Sequence, residues 1–189
     1  MSKERPILFS SDMVRAILEG RKFQTRRIVK PDIADCIESN YPDPMNEIFV
    51  ETDKGDIPLK YCCPYGEVGD VLWARETFAA PEDWLIVYRA DYNDGECNLV
   101  DCWKPSIFMP RKYSRINLKI VDVRVERLQE ITDLDSLAEG IEIDEESKTY
   151  GAGWDRPSEA YKDLWDSING NGAWNLNPFV WVIEFVRKT

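Results

Sequence analysis

The sequence predicts an α+β domain: a small mixed β-barrel of five to six strands, with about three short helices covering its ends. Three observations carry that expectation. Stretches with strand character outnumber those with helical spacing, and they lack the strand–helix alternation of a doubly wound sheet. The longest strand signal, residues 114–127, changes phase midway: Ile116, Leu118 and Ile120 alternate, then Val121, Val123 and Val125 alternate in the opposite sense. Such a switch marks a β-bulge or sharp bend, which a closing sheet requires. Finally, 189 residues with 43% hydrophobic and 31% charged content suit one soluble domain with a real core.

In chain order, Pro6–Phe9 is a short strand. Ser10 and Ser11 offer N-caps to a helix carrying Met13, Val14, Ile17 and Leu18 at helical spacing, with Gly20 as its C′ residue. Residues 22–29 read as a strand, in which strict alternation sets Lys22 and Thr25 on opposite faces unless a bend intervenes. Residues 30–69 form a long polar excursion with a short hairpin around Ile48–Val50 and Ile57–Leu59. Val71–Phe78 and Trp84–Ala90 are strands, Asp91–Glu96 is a loop tip, and residues 79–112 form a second insertion. Thr132 with Asp135 makes a capping box for a helix that ends at Gly140, and residues 141–157 read as an acidic loop. Ser158 caps a third helix bearing Tyr161, Leu164, Trp165 and Ile168 on one stripe. Phe179–Val186 is apolar on both faces, as a central strand is.

Charge is unevenly placed. The formal net charge is −11, yet residues 20–31 hold Arg21, Lys22, Arg26, Arg27 and Lys30 with no acid, and residues 102–121 hold five more cations. An acidic body with local basic sites fits a small ligand or a flipped-out element and disfavours a long duplex. The alternative for such clusters is a solvated basic surface. Trp103–Tyr113 mixes aromatics, cations and prolines, a composition that stacks bases or simply packs as an irregular segment.

Histidine is absent, which removes the commonest general base and every Ser-His or Cys-His nucleophile. Catalysis, if present, runs on Lys, carboxylates, Tyr, Thr or Ser. The five cysteines, at 36, 62, 63, 97 and 102, read as free thiols, and their spacing gives no CxxC metal pair. No metal and no cofactor is therefore expected. With neither a leader-like apolar core at the start nor a membrane-length apolar run, a cytoplasmic protein is expected.

The run Leu18-Glu19-Gly20-Arg21-Lys22-Phe23-Gln24-Thr25-Arg26-Arg27 resembles the signature of the ASCH domain, a branch of the PUA-like β-barrel superfamily. The likeness continues through Gly69-Asp70-Val71-Leu72, Arg115–Leu128, Leu137-Ala138-Glu139-Gly140 and Val182-Ile183-Glu184-Phe185. Cys63-Pro64-Tyr65-Gly66, Trp73–Thr77, Lys104–Ile107 and Trp165–Asn169 are similar to phage- and prophage-encoded members. The resemblance implies a single PUA-like domain over residues 1–189, with insertions at about 30–69 and 79–112, that binds RNA or a modified nucleoside. Small bacterial relatives are amidohydrolases that deacetylate N4-acetylcytidine with a Lys, a Thr and a Glu. Carried over, these are Lys22, Thr25 and Glu139, with Glu142 the alternative carboxylate. Phe23 stands where small members commonly have Thr.

In that reading Thr25 attacks or holds a water, and Glu139 moves a proton to the leaving amine. Lys22 serves as a base if neighbouring cations lower its pKa, or binds the oxyanion if it stays charged. Arg21, Arg26, Arg27, Tyr65, Lys104 and Arg111 are candidate substrate-binding residues, and Glu76 is a secondary candidate. The expected partner is a modified nucleoside or single-stranded RNA, without a membrane. The other readings are a non-catalytic RNA or modified-base binding module, and a ribonuclease.

Overall fold

The computed structural model describes residues 2–38, 48–51, 55–82, 85–92, 100 and 102–188. In chain order these form β1 (Glu4–Leu8), α1 (Ser11–Leu18), β2 (Gln24–Ile28), α2 (Pro31–Glu38), β3 (Phe49–Val50), β4 (Ile57–Pro58), β5 (Val71–Arg75), β6 (Phe78–Glu82), β7 (Leu85–Tyr88), β8 (Asn117–Arg127), α3 (Asp133–Ala138), β9 (Ile143–Asp144), β10 (Thr149–Tyr150), α4 (Pro157–Asn169) and β11 (Phe179–Lys188). Short 3₁₀ turns join several of them. The architecture is mixed α+β.

One five-stranded sheet organises the chain in the order β1-β5-β8-β11-β2. β1 runs parallel to β5, and the other pairings in this sheet are antiparallel. β11 sits between β8 and β2, which explains why it is apolar on both faces. On one face Trp181, Ile183 and Phe185 join a core with Ile7, Leu72, Leu118, Ile120 and the α1 residues Val14 and Ile17. On the other, Val180 and Val182 join Leu128, Tyr161 and Trp165. The phase change in β8 is a bulge: Glu184 pairs with Asp122 and Phe185 with Ile120, which leaves Val121 as the extra residue.

The closed barrel expected from the sequence is an open sheet here, because β1 and β2 are edges with no main-chain pairing between them among the described residues. The edges do approach each other. Arg27 Nη2, on β2, donates to the Leu8 carbonyl at the end of β1 over 2.7 Å, and its guanidinium lies 5.4 Å from the Phe9 ring centre.

Several local expectations change. Among the described residues the helices number four, because Pro31–Glu38, read as part of an irregular excursion, is helical. Proline opens α2, Asp32 lies in its first turn, and Ile33, Ala34 and Ile37 pack inward at helical spacing. The strand read over residues 22–29 begins at Gln24. The strand over 71–78 divides into β5 and β6, and β6 pairs with β7 as a hairpin inside the second insertion. Residues 141–157 contain the small β9–β10 hairpin. Ser158 lies inside α4, since Pro157 is its first residue and Arg156 its N-cap. The hairpin near residues 48–59 forms as β3–β4, and Thr132 and Asp135 close their capping box. Residues 39–47 and 52–54 of the first excursion, Trp84, Cys97 and most of the Asp91–Glu96 loop tip lie outside the described residues. No helix among the described residues is long and apolar enough to cross a membrane.

Candidate functional site

Two helix ends meet at the start of β2. α1 closes at Gly20, whose φ of 79° reverses the chain, and the Arg21 and Lys22 amides both donate to the Ala16 carbonyl at 2.9 and 3.0 Å. The chain then passes under the end of α3. Lys22 pairs with Glu139 in an isolated antiparallel bridge, and the Phe23 amide donates to the Ala138 carbonyl at 3.0 Å. α3 stops because Gly140 takes φ 93°, where a Cβ would sit 3.0 Å from the Cβ atoms of both Ala16 and Lys22. Glycine there lets the Glu139 turn settle directly on Lys22.

The Lys22 side chain is wholly buried. Its Nζ donates to Glu139 Oε2 at 2.7 Å and to the Gln24 and Glu139 carbonyls, both at 2.8 Å. Three acceptors match the three hydrogens of an ammonium. Burial nevertheless pushes the Lys22 pKa down, against the opposing pull of Glu139; the charges of Arg27 and Arg26 add to the lowering. Lys22 precedes the strand, so alternation does not decide where its side chain goes.

Arg26 is also fully buried and is surrounded by carboxylates: Glu126 at 3.2 Å, Glu139 at 3.3 Å and Asp135 at 3.6 Å. It donates as well to the Gln24 side-chain oxygen, and Gln24 in turn donates to Asp135 and Glu184 at 3.0 and 3.1 Å. Arg124 extends this network to Asp122, Glu126, Asp135 and Glu184. The stretch that is purely basic in sequence is therefore largely neutralised in space. Arg21 pairs with Glu19 and donates to the Gly140 carbonyl, Lys22 pairs with Glu139, and Arg26 faces three acids. Arg27 differs, having a carbonyl and an aromatic ring as partners.

Glu139 reaches two cavities. The smaller, about 60 Å³, lies between the β2 edge and α4 and is lined by Thr25, Arg26, Arg27, Glu139, Tyr161 and Trp165 together with Met13, Ile28, Leu164, Ile168 and Asn169. The larger, about 260 Å³, has a polar wall that includes Ser10, Asp12, Arg15, Glu19, Arg21 and Glu142. Thr25 is buried, and among the described residues its hydroxyl takes part in no hydrogen bond. Three buried N–H donors are unpartnered among the described residues at this place: Nε of Arg26, Nε of Arg27 and Nε1 of Trp165. Burial, reinforced by the nearby Glu139 carboxylate, raises the Tyr161 phenol far above its ordinary range, so it stays protonated.

No protein-family model matches the chain, and no match was found among curated proteins or among solved structures.

The fold thus joins Lys22 and Arg26 to Glu139 by ion pairs, and sets Thr25, Arg26, Arg27 and Glu139 around one cavity whose lining does not include Lys22. Glu142 lines the polar cavity without entering the Lys22 ion pair. Arg21 lines that cavity too, and also a separate one of about 550 Å³ on the side of Phe23 and Leu134. The other candidates lie elsewhere. Tyr65 packs on the main core, Lys104 bridges to Phe78, and Arg111 pairs with Glu4 at 2.9 Å. Glu76 is buried beside Arg115 at 2.9 Å; burial raises its pKa while Arg115 opposes the rise. Sequence reasoning assigned Tyr161 and Trp165 to the core stripe of α4 alone. Only the unpaired indole nitrogen and the adjoining cavity distinguish them from ordinary core aromatics.

Proposed function

We propose that the chain is an ASCH-type amidohydrolase that releases an acyl group from the exocyclic amine of a modified nucleoside, N4-acetylcytidine or a close analogue. The observation that carries this reading is the position of Glu139. Its carboxylate is held by Lys22 at 2.7 Å and Arg26 at 3.3 Å, in the wall of a cavity it shares with Thr25. Glu139, more than a hundred residues from the motif that holds Lys22 and Thr25, pairs with the first and lines a cavity with the second, which supports the reading. A PUA-like barrel belongs to the same proposal, supported by the β8–β11 bulge and by the Arg27 link between the two sheet edges.

The chemistry follows from the donors and acceptors present. Thr25 holds a water against the amide carbonyl carbon, and Glu139 takes the proton of that water as the new C–O bond forms. The C–N bond then breaks, and Glu139 returns the proton to the departing nitrogen. One amide and one water become one carboxylic acid and one amine. Lys22 carries a positive charge beside Glu139 throughout and fixes its orientation, a role that its three acceptors favour over that of base.

A second reading, a binding module without catalysis, draws support from the same ammonium. Its side chain is wholly buried and all three of its hydrogens are engaged, as in a structural ion pair. Incubation with N4-acetylcytidine and with single-stranded RNA, followed by mass spectrometry, separates the readings. The expected products are cytidine and acetate, with Thr25→Ala and Glu139→Gln each slowing release by about 10²-fold or more. Binding without release establishes the module, and shortened RNA establishes a ribonuclease.

A further inference from the structure

The two cavities that meet at Glu139 differ in size and chemistry, and that difference sorts the two halves of an amide. They share Met13, Glu139 and Leu164, so a group in one adjoins a group in the other. The smaller is about 60 Å³, well under the roughly 150 Å³ that accepts a benzene ring. A nucleobase does not fit it; a two-carbon acyl group does. Its wall combines apolar side chains with Trp165, whose buried Nε1–H has no acceptor among the described residues. A buried donor without an acceptor is costly, typically about 1–3 kcal/mol, so such donors mark where a ligand supplies the acceptor. The larger cavity, about 260 Å³ and polar, suits the hydrogen-bonding amine portion.

We propose that the small cavity is an acyl-recognition pocket, in which Trp165 Nε1–H donates to the acyl oxygen and Ile168 limits chain length. This rests on the amide-hydrolysis reading for its substrate, while its ligand chemistry, a short acyl group or carboxylate, is independent of turnover. Trp165 and Ile168 are then specificity residues, and the cavity wall makes the site selective for acetyl over longer acyl groups.

The test has a binding arm and a turnover arm. In the first, ¹⁵N-indole NMR spectra of the intact protein are recorded during titration with acetate and with butyrate. The indole resonance that disappears in Trp165→Phe is expected to move downfield with acetate and to stay in place with butyrate. In the second, N4-acetyl-, N4-propionyl- and N4-butyrylcytidine are compared. Each added methylene is expected to lower kcat/KM about tenfold or more. Ile168→Ala, at a half-exposed position that tolerates truncation, relaxes this preference. An indole resonance that ignores acetate, or a chain-length profile that is flat or unmoved in Ile168→Ala, overturns the pocket even if N4-acetylcytidine is hydrolysed. An acetate-sensitive Trp165 in a protein that hydrolyses none of the three retains the pocket and rejects the amidohydrolase.

Discussion

Glu139 takes part in more of the site than any other side chain: it answers Lys22, answers Arg26, and borders both cavities. Its removal strands a buried ammonium, whereas removal of Lys22 leaves Glu139 still paired with Arg26. Glu139→Leu should therefore destabilise by about 3–5 kcal/mol in urea unfolding, and Lys22→Met by distinctly less. The double variant should recover part of the loss, because no unpaired charge remains. Equal costs for the two single variants would show that the pair is not the buried unit described here. The pH dependence has a definite sign. Burial lowers the Lys22 pKa from its ordinary 10.5, so between the lowered value and 10.5 the unfolded chain binds more protons than the folded one. The Lys22 contribution to stability thus rises with pH across that window, and Lys22→Met should remove this rise from the wild-type-minus-variant difference. In activity, an ammonium role makes kcat fall as pH climbs through the lowered pKa, whereas a base role makes it increase.

The short elements exist to place these groups. α3 has six residues and relies on its termini, with the Thr132 and Asp135 capping box at one end and Gly140 at the other. Thr132→Ala removes the cap, for an expected loss of about 1 kcal/mol in chemical denaturation. Gly140→Ala should cost more, about 2–3 kcal/mol, because it adds backbone strain at φ 93° to close approaches of 3.0 Å with Ala16 and Lys22. Since those contacts lie beneath Glu139, the same change should impair turnover by more than its loss of stability explains. A variant that unfolds more readily but keeps full activity would separate the helix end from the site.

Across the whole molecule, the net charge of −11 sets which ligands approach. The cations of residues 20–31 are mostly neutralised, and Asp12, Glu19 and Glu142 lie in the wall of the polar cavity. Long polyanions therefore meet repulsion, which favours a nucleoside over a phosphorylated chain. N4-acetylcytidine should be preferred to its 5′-monophosphate, and the difference should shrink as salt is raised from 50 to 500 mM, roughly the range over which the screening length falls by about threefold. A preference for the monophosphate would point instead to a phosphate site at one of the exposed lysines Lys104, Lys112 and Lys119.

What the sequence determined by itself is what short-range rules govern. α1 and its glycine stop, the capping box of α3, the bulge at Val121 and the doubly buried β11 all follow from spacing within a few residues. Resemblance to a family added Lys22, Thr25 and Glu139 as a set. The polar composition of residues 30–69 hid α2, whose Ile33, Ala34 and Ile37 repeat is too brief to stand out. Tertiary structure alone decided the electrostatics. Lys22 finds its carboxylate 117 residues away and Arg26 finds the same one 113 residues away, so a run that reads as a cationic patch becomes a balanced buried network. It also decided the cavities, and with them the place of Trp165 and Tyr161. A helix stripe looks the same in sequence whether it meets a filled core or a space, because the difference lies in what the opposite strand edge brings against it.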